Sequence, residues 1–121
     1  MKKFLVAASL VGVIMAMALP AQAFVNVAVA GPGASISGFE TPVVVLSQAV
    51  PAYFLQADPI APHDFTEKPV GASNSYQPKF YTERSAGAGL YEVMWRGNPA
   101  PGDYRFICTV HGNMVGTATV V

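Results

Sequence analysis

The chain predicts an all-β protein: a Greek-key sandwich of two sheets built from seven to eight short strands. Glycine and proline punctuate it at close intervals, eleven and ten of them in 121 residues, and such residues mark turns rather than element interiors. From Phe24 onward no stretch keeps a helical period for three turns. The clearest apolar runs alternate with a period of two, as strands with one buried face do. Short strands with turn signals at this spacing are the pattern of a sandwich.

The elements follow in order. Phe24 to Ala30 forms a first strand, closed by the Gly31-Pro32-Gly33 turn. Pro42 to Leu46 and Ala52 to Gln56 form the next two, the latter ending before Asp58-Pro59. A Pro-rich loop then carries His63, and Asp64-Phe65-Thr66 begins another short strand. Lys68 to Gln77, rich in Gly, Ser and Asn, is expected to be loop with one helical turn. In Leu90 to Trp95, the two-residue period puts Tyr91, Val93 and Trp95 on one face and Glu92 in water. After the turn from Gly97 to Gly102, Tyr104, Phe106 and Cys108 share an inward face, with Arg105 and Ile107 opposite. Val115 to Val121 closes the domain. Trp95, Phe106 and Tyr104 are core residues, and the Tyr104 hydroxyl is suited to a hydrogen bond across a Greek-key corner.

The domain proper is expected to be 24–121. Residues 1–23 read as a secretory signal peptide: Lys2 and Lys3 open it, Phe4 to Ala18 is apolar, and Ala21-Gln22-Ala23 is a small-residue cleavage site. It has no twin arginine and no cysteine, so export unfolded through the general route is expected, without a lipid anchor. The expected location is the periplasm, with no membrane span once the signal is removed. The remaining 98 residues suffice for a core without staples. They hold five basic residues (Lys68, Lys79, Arg84, Arg96, Arg105) and seven acidic ones (Glu40, Asp58, Asp64, Glu67, Glu83, Glu92, Asp103), a net charge of −2. No basic stripe exists to neutralise phosphates, which argues against nucleic acid as a partner. So few charges also give little electrostatic steering, and docking should be largely apolar.

The chemistry concentrates in Cys108-x-x-His111-x-x-Met114. A lone cysteine in an exported protein cannot form an internal disulfide and is open to oxidation unless buried or metal-bound. Simple packing would account for Cys108 alone, but not for its neighbours His111 and Met114. The chain's other histidine, His63, supplies a fourth ligand from a separate loop. Thiolate, two imidazoles and a weak thioether form the ligand set of a blue-copper centre. Sulfur favours Cu(I), imidazole suits both oxidation states, and a rigid compromise geometry lets the ion cycle with little rearrangement. Gly112 and Asn113 fit the tight turn through their tolerance of positive φ. Met94 is read as an ordinary strand residue. A Cys–His nucleophile pair would need a cleft and an orienting third group, a catalytic zinc site prefers histidine or carboxylate to thioether, and a dinuclear copper site needs a second cysteine.

PGDYRFICTVHGNMVGTATVV resembles the C-terminal end of the cupredoxins of the plastocyanin, amicyanin and pseudoazurin group, and APHDF resembles their Pro-His-Asn/Asp loop. Two residues on each side of His111 make the ligand loop most similar to that of amicyanin. The resemblance implies one type-1 copper ion held by His63, Cys108, His111 and Met114. It further implies a non-enzymatic carrier of single electrons. His111 would then be its exposed edge, within an apolar patch to which Ala61, Pro62, Pro99, Pro101 and Gly31-Pro32-Gly33 could contribute. Expected partners are redox proteins such as c-type cytochromes or periplasmic oxidoreductases, docking around His111. Val110 stands where amicyanin has proline, and Asp64 stands where asparagine is commoner; Asp64 is placed to accept a backbone N–H near Thr109. Ile107 replaces the exposed tyrosine of plant plastocyanins, and no acidic cluster surrounds it. Two rivals remain open: a copper chaperone or storage protein that hands over the ion, and a cupredoxin-fold binding module with no redox role.

Overall fold

The computed structural model describes residues 24–121, a two-sheet sandwich of ten strand segments and one helical turn. The segments are β1 (Phe24–Val25), β2 (Val27–Ala30), β3 (Val43–Leu46), β4 (Tyr53–Gln56), β5 (Thr66–Glu67), β6 (Phe80–Tyr81), β7 (Gly89–Glu92), β8 (Met94–Trp95), β9 (Gly102–Ile107) and β10 (Val115–Val120), with α1 at Ala34–Ser37. The signal reading of residues 1–23 lies outside the described residues. One sheet has the order β1-β3-β10-β9-β5-β6-β8 and the other β2-β4-β7.

Two expected strands each serve both sheets. Phe24 to Ala30 is broken at Asn26, where φ is 60°, so β1 pairs β3 in one sheet while β2 pairs β4 in the other. Asparagine tolerates this left-handed conformation better than most residues. Its Oδ1 accepts the Ser47 N–H at 2.8 Å. Leu90 to Trp95 crosses likewise at Val93, its N–H donating to Ala52 O at 2.8 Å between β7 and β8. With each counted as one extended segment, eight remain, within the expected range. Burial keeps the expected alternation: Val93 is buried and Tyr91 and Trp95 half-buried, while Leu90, Glu92 and Met94 are exposed.

The helical turn lies elsewhere than expected. Lys68 to Gln77 contains only turns and irregular backbone, and the helical turn is α1, framed by Gly33 and Gly38 at φ 79° and 88°. Those two glycines let the chain enter and leave a four-residue turn that has no side-chain cap at its N-terminus. The strand expected from Asp64 begins two residues later, at Thr66.

The core is aromatic and bridges the sheets. Phe54 of β4 and Phe106 of β9 come from opposite sheets, and both meet Phe39 edge to face, at centroid distances of 6.2 and 4.9 Å. Phe65 packs 4.5 Å from Phe106 and 5.6 Å from Phe80, which reaches Trp95 at 5.4 Å. Such offset and T-shaped pairs add to the burial of the rings themselves. Tyr104 packs on this cluster and its hydroxyl donates to Ala100 O at 2.6 Å. Two rings of the cluster root the site, since Phe65 lies two residues after His63 and Phe106 two before Cys108.

Candidate metal centre

β5 and β9 are antiparallel, with Thr66 opposite Ile107 and Glu67 opposite Phe106. Continued beyond the ladder, this register sets Asp64 against Thr109, and the side chain completes what the strands no longer do. Asp64 Oδ1 accepts the Thr109 N–H at 2.8 Å, and the Thr109 hydroxyl donates to Oδ2. The expectation for Asp64 therefore holds, and the residue beside Cys108 is tied to the residue beside His63.

From Cys108 the chain turns back on itself. The Cys108 N–H donates to Met114 O and the Met114 N–H to His111 O, both at 3.0 Å. Gly112 and Asn113 sit in this turn without positive φ, because Asn26 is the only non-glycine residue with positive φ among the described residues and Gly112 is not among the positive-φ glycines. Asn113 instead serves as a tether. Its Nδ2 donates to Ser35 O and Ile36 O, at 3.1 and 3.3 Å, tying the loop to α1.

Three of the four expected ligands converge closely. Cys108 Sγ lies 3.8 Å from His63 Nδ1 and 3.9 Å from His111 Nδ1, and the three candidate ligand atoms all fall within 4.8 Å of one another. The imidazole centroids are 4.9 Å apart. Cys108, His63 and Met114 are fully buried, and His111 is half-buried, giving the cluster one edge toward solvent. One sulfur and two imidazole nitrogens converging in a largely buried cluster are a donor set that would suit a copper ion. Met114, held in the same loop, completes a His-Cys-His-Met cluster arranged like a type-1 site.

The sequence reading missed Asp58. Its Oδ2 lies 2.7 Å from His63 Nε2, on the side of the ring away from Cys108. Asp58 Oδ1 accepts the Ile60 N–H at 3.0 Å. The His63 hydrogen bond, then the Ile60 N–H, hold its carboxyl below the ordinary value. Asp58-Pro59 reads as a turn, and turn residues are normally solvated. The available signal was indirect: a buried histidine using one ring nitrogen at a metal needs a partner for the other.

Of the expected patch, part is at this end. Pro62 is exposed and Ala61 half-buried in the loop before His63, and Pro32 and Gly33 are exposed beside α1. Ile36 and Ile60, 87% and 90% exposed, were not anticipated. Pro99 and Pro101 do not belong: they precede β9, whose six residues run from Gly102 toward Cys108, so they lie at the opposite end. No helix among the described residues is long and apolar enough to cross a membrane.

No protein-family model matches the sequence, and a search of curated proteins gives no match. Solved structures do match. A purple cupredoxin from Nitrosopumilus maritimus is 15% identical with a TM-score of 0.59, over 78% of this chain and 98% of that one. Amicyanin from Paracoccus versutus is 20% identical with a TM-score of 0.52, over 85% of each chain. A copper-containing nitrite reductase from Thermus scotoductus is 19% identical with a TM-score of 0.55, over 78% of this chain but only 22% of the enzyme. The chain thus has the cupredoxin fold, with a His-Cys-His-Met cluster arranged as in a type-1 site.

Proposed function

We propose that His63, Cys108, His111 and Met114 hold one copper ion and that the protein carries single electrons between redox partners in the periplasm, after removal of residues 1–23. The observation that carries this reading is the convergence of the Cys108 sulfur with one nitrogen of each histidine at the solvent-facing end of the sandwich. Bound there, copper would supply one-electron chemistry by cycling between Cu(I) and Cu(II). The chain's own contribution is rigidity. Cys108 and His63 are anchored through Phe106 and Phe65 in the aromatic core, and the Asp64 clamp joins their strands. Donors fixed in this way rearrange little between oxidation states, which favours fast transfer. His111, half-buried, is the proposed edge for electron entry and exit. Around it Ile36, Ile60, Pro32 and Pro62 form the proposed docking surface for c-type cytochromes or oxidoreductases. A carrier rather than an enzyme is favoured by the donor set and the single half-buried edge at His111; a cavity lined by Asp58, Ile60, Pro62 and Ser85 lies beside His63, but none of the four proposed ligands lines it.

Cu(II) added to residues 24–121 should give an intense blue sulfur-to-copper band that reductant bleaches reversibly and Cys108→Ser abolishes. A protein that stays colourless, takes up only Cu(I) and yields it readily to a chelator is instead a chaperone or store, and the carrier reading fails.

A further inference from the structure

We propose that Asp58 is a positioning residue of the copper centre, fixing the His63 ring and lowering the reduction potential of the ion it holds. This rests on the copper reading above. A histidine that coordinates through Nδ1 must carry its proton on Nε2, and an accepting group there selects that tautomer and the ring orientation. His63 presents Nδ1 to the Cys108 sulfur and Nε2 to Asp58 Oδ2 at 2.7 Å, and both residues are buried, at 0% and 3% exposure.

Asp58 is itself held on three sides. Its Oδ1 takes the Ile60 N–H at 3.0 Å, and its own N–H donates to Gln56 Oε1 at 2.8 Å. Gln56, also buried, then donates from Nε2 to Ala61 O at 2.8 Å, bracing the turn from the far side. The backbone of His63 is fixed independently: its N–H donates to Ser85 Oγ at 3.0 Å and its carbonyl accepts the Ser85 N–H at 2.9 Å. A side-chain bond that merely held the loop would therefore be redundant. The carboxylate's distinct contribution is to the ring and to the charge beyond it. One negative charge behind a ligand, in a buried setting of low effective dielectric, favours the more positive state of the ion, Cu(II) over Cu(I). Among the described residues Asp58 is the carboxylate hydrogen-bonded to the His63 ring; the neighbouring Asp64 is engaged by Thr109 and Thr66.

Asp58→Asn removes the charge with nearly the same shape. In the copper-loaded protein it should raise the ratio of Cu(I) to Cu(II) affinity at least tenfold, a rise in reduction potential of about 59 mV for one electron. An unchanged potential in a blue Asp58→Asn protein overturns the proposal. Failure of the copper reading looks different, because the unsubstituted protein would then show no blue band. A second measurement needs neither metal nor variant. Nitrogen NMR of the metal-free chain should find the His63 proton on Nε2 and protected from exchange with water. A proton on Nδ1 alone, or Nε2–H in free exchange, overturns the proposal even where Asp58→Asn does not fold.

Discussion

Asp64 shows how much one side chain can do where a ladder ends. β5 and β9 stop pairing short of the site, leaving the Thr109 N–H without a strand partner; Asp64, 4% exposed, supplies the acceptor. Its two oxygens take Thr109 twice, and the Thr66 hydroxyl adds a third bond at 3.2 Å. Removing a buried acceptor leaves its donors unsatisfied, at about 1–3 kcal/mol. Asp64→Ala should lower the unfolding free energy of the metal-free protein by that amount in denaturant melts. Asparagine keeps one oxygen for the Thr109 N–H and offers its amide to the hydroxyl, so Asp64→Asn should recover most of the loss. Equal losses in both variants would mean that the charge, rather than the clamp, is what matters. The position was legible because the residue after a ligand histidine is a natural place for such a clamp. Asp58 was not, since its partner ring lies five positions further on, across a loop whose path only the fold reveals.

Among the elements, the segment from Lys68 to Lys79 has little regular structure, yet it is anchored to the sheet by a buried carboxylate. Glu67 of β5, 2% exposed, accepts the Tyr76 hydroxyl at 2.6 Å and the Lys79 N–H at 2.8 Å through the same oxygen. Burial, then the Glu67 hydrogen bond and charge, push the Tyr76 phenol up from 10.0 to about 12. In that interval the unfolded chain has lost the proton that the folded one keeps. The anchor's contribution is therefore complete below pH 10 and is lost as pH rises from 10 to about 12. Tyrosinate absorbance should show a late step near pH 12 that vanishes in Tyr76→Phe and moves down in Glu67→Gln; a step unmoved by Glu67→Gln would assign the shift to burial alone. Composition suggested a loop here, and loop it is, but the helical turn lies at Ala34–Ser37, because the φ of Gly33 and Gly38 permits it there. The two strand crossings were hidden for a related reason. A period of two persists through Asn26 and Val93, so the pattern shows a face but not a change of sheet.

At the scale of the whole molecule, the proposed ligands come from two loops at one end of the sandwich, where Cys108 and Met114 are buried at the edge of a core whose aromatic contacts are made without them. Phe39, Phe54, Phe65, Phe80 and Phe106 join the sheets with ring contacts of their own, and a domain of this size buries enough surface to stand without a staple. The metal-free chain should therefore unfold in one cooperative transition, with native-like aromatic circular dichroism beforehand. An ion that binds the folded arrangement and not the unfolded chain then adds stability by mass action. At a free concentration a hundredfold above its dissociation constant the gain is about 2.7 kcal/mol, or roughly 10–20 °C in a domain near 100 residues. Copper should produce that rise in the unsubstituted protein and not in Cys108→Ser, while both metal-free forms melt within a few degrees of each other. Were the Cys108 sulfur essential to the core's packing, Cys108→Ser would weaken the metal-free protein as much as it weakens the loaded one. A metal-free chain that melts without cooperativity would mean that folding waits for the ion, and that the aromatic core alone does not hold the two sheets together.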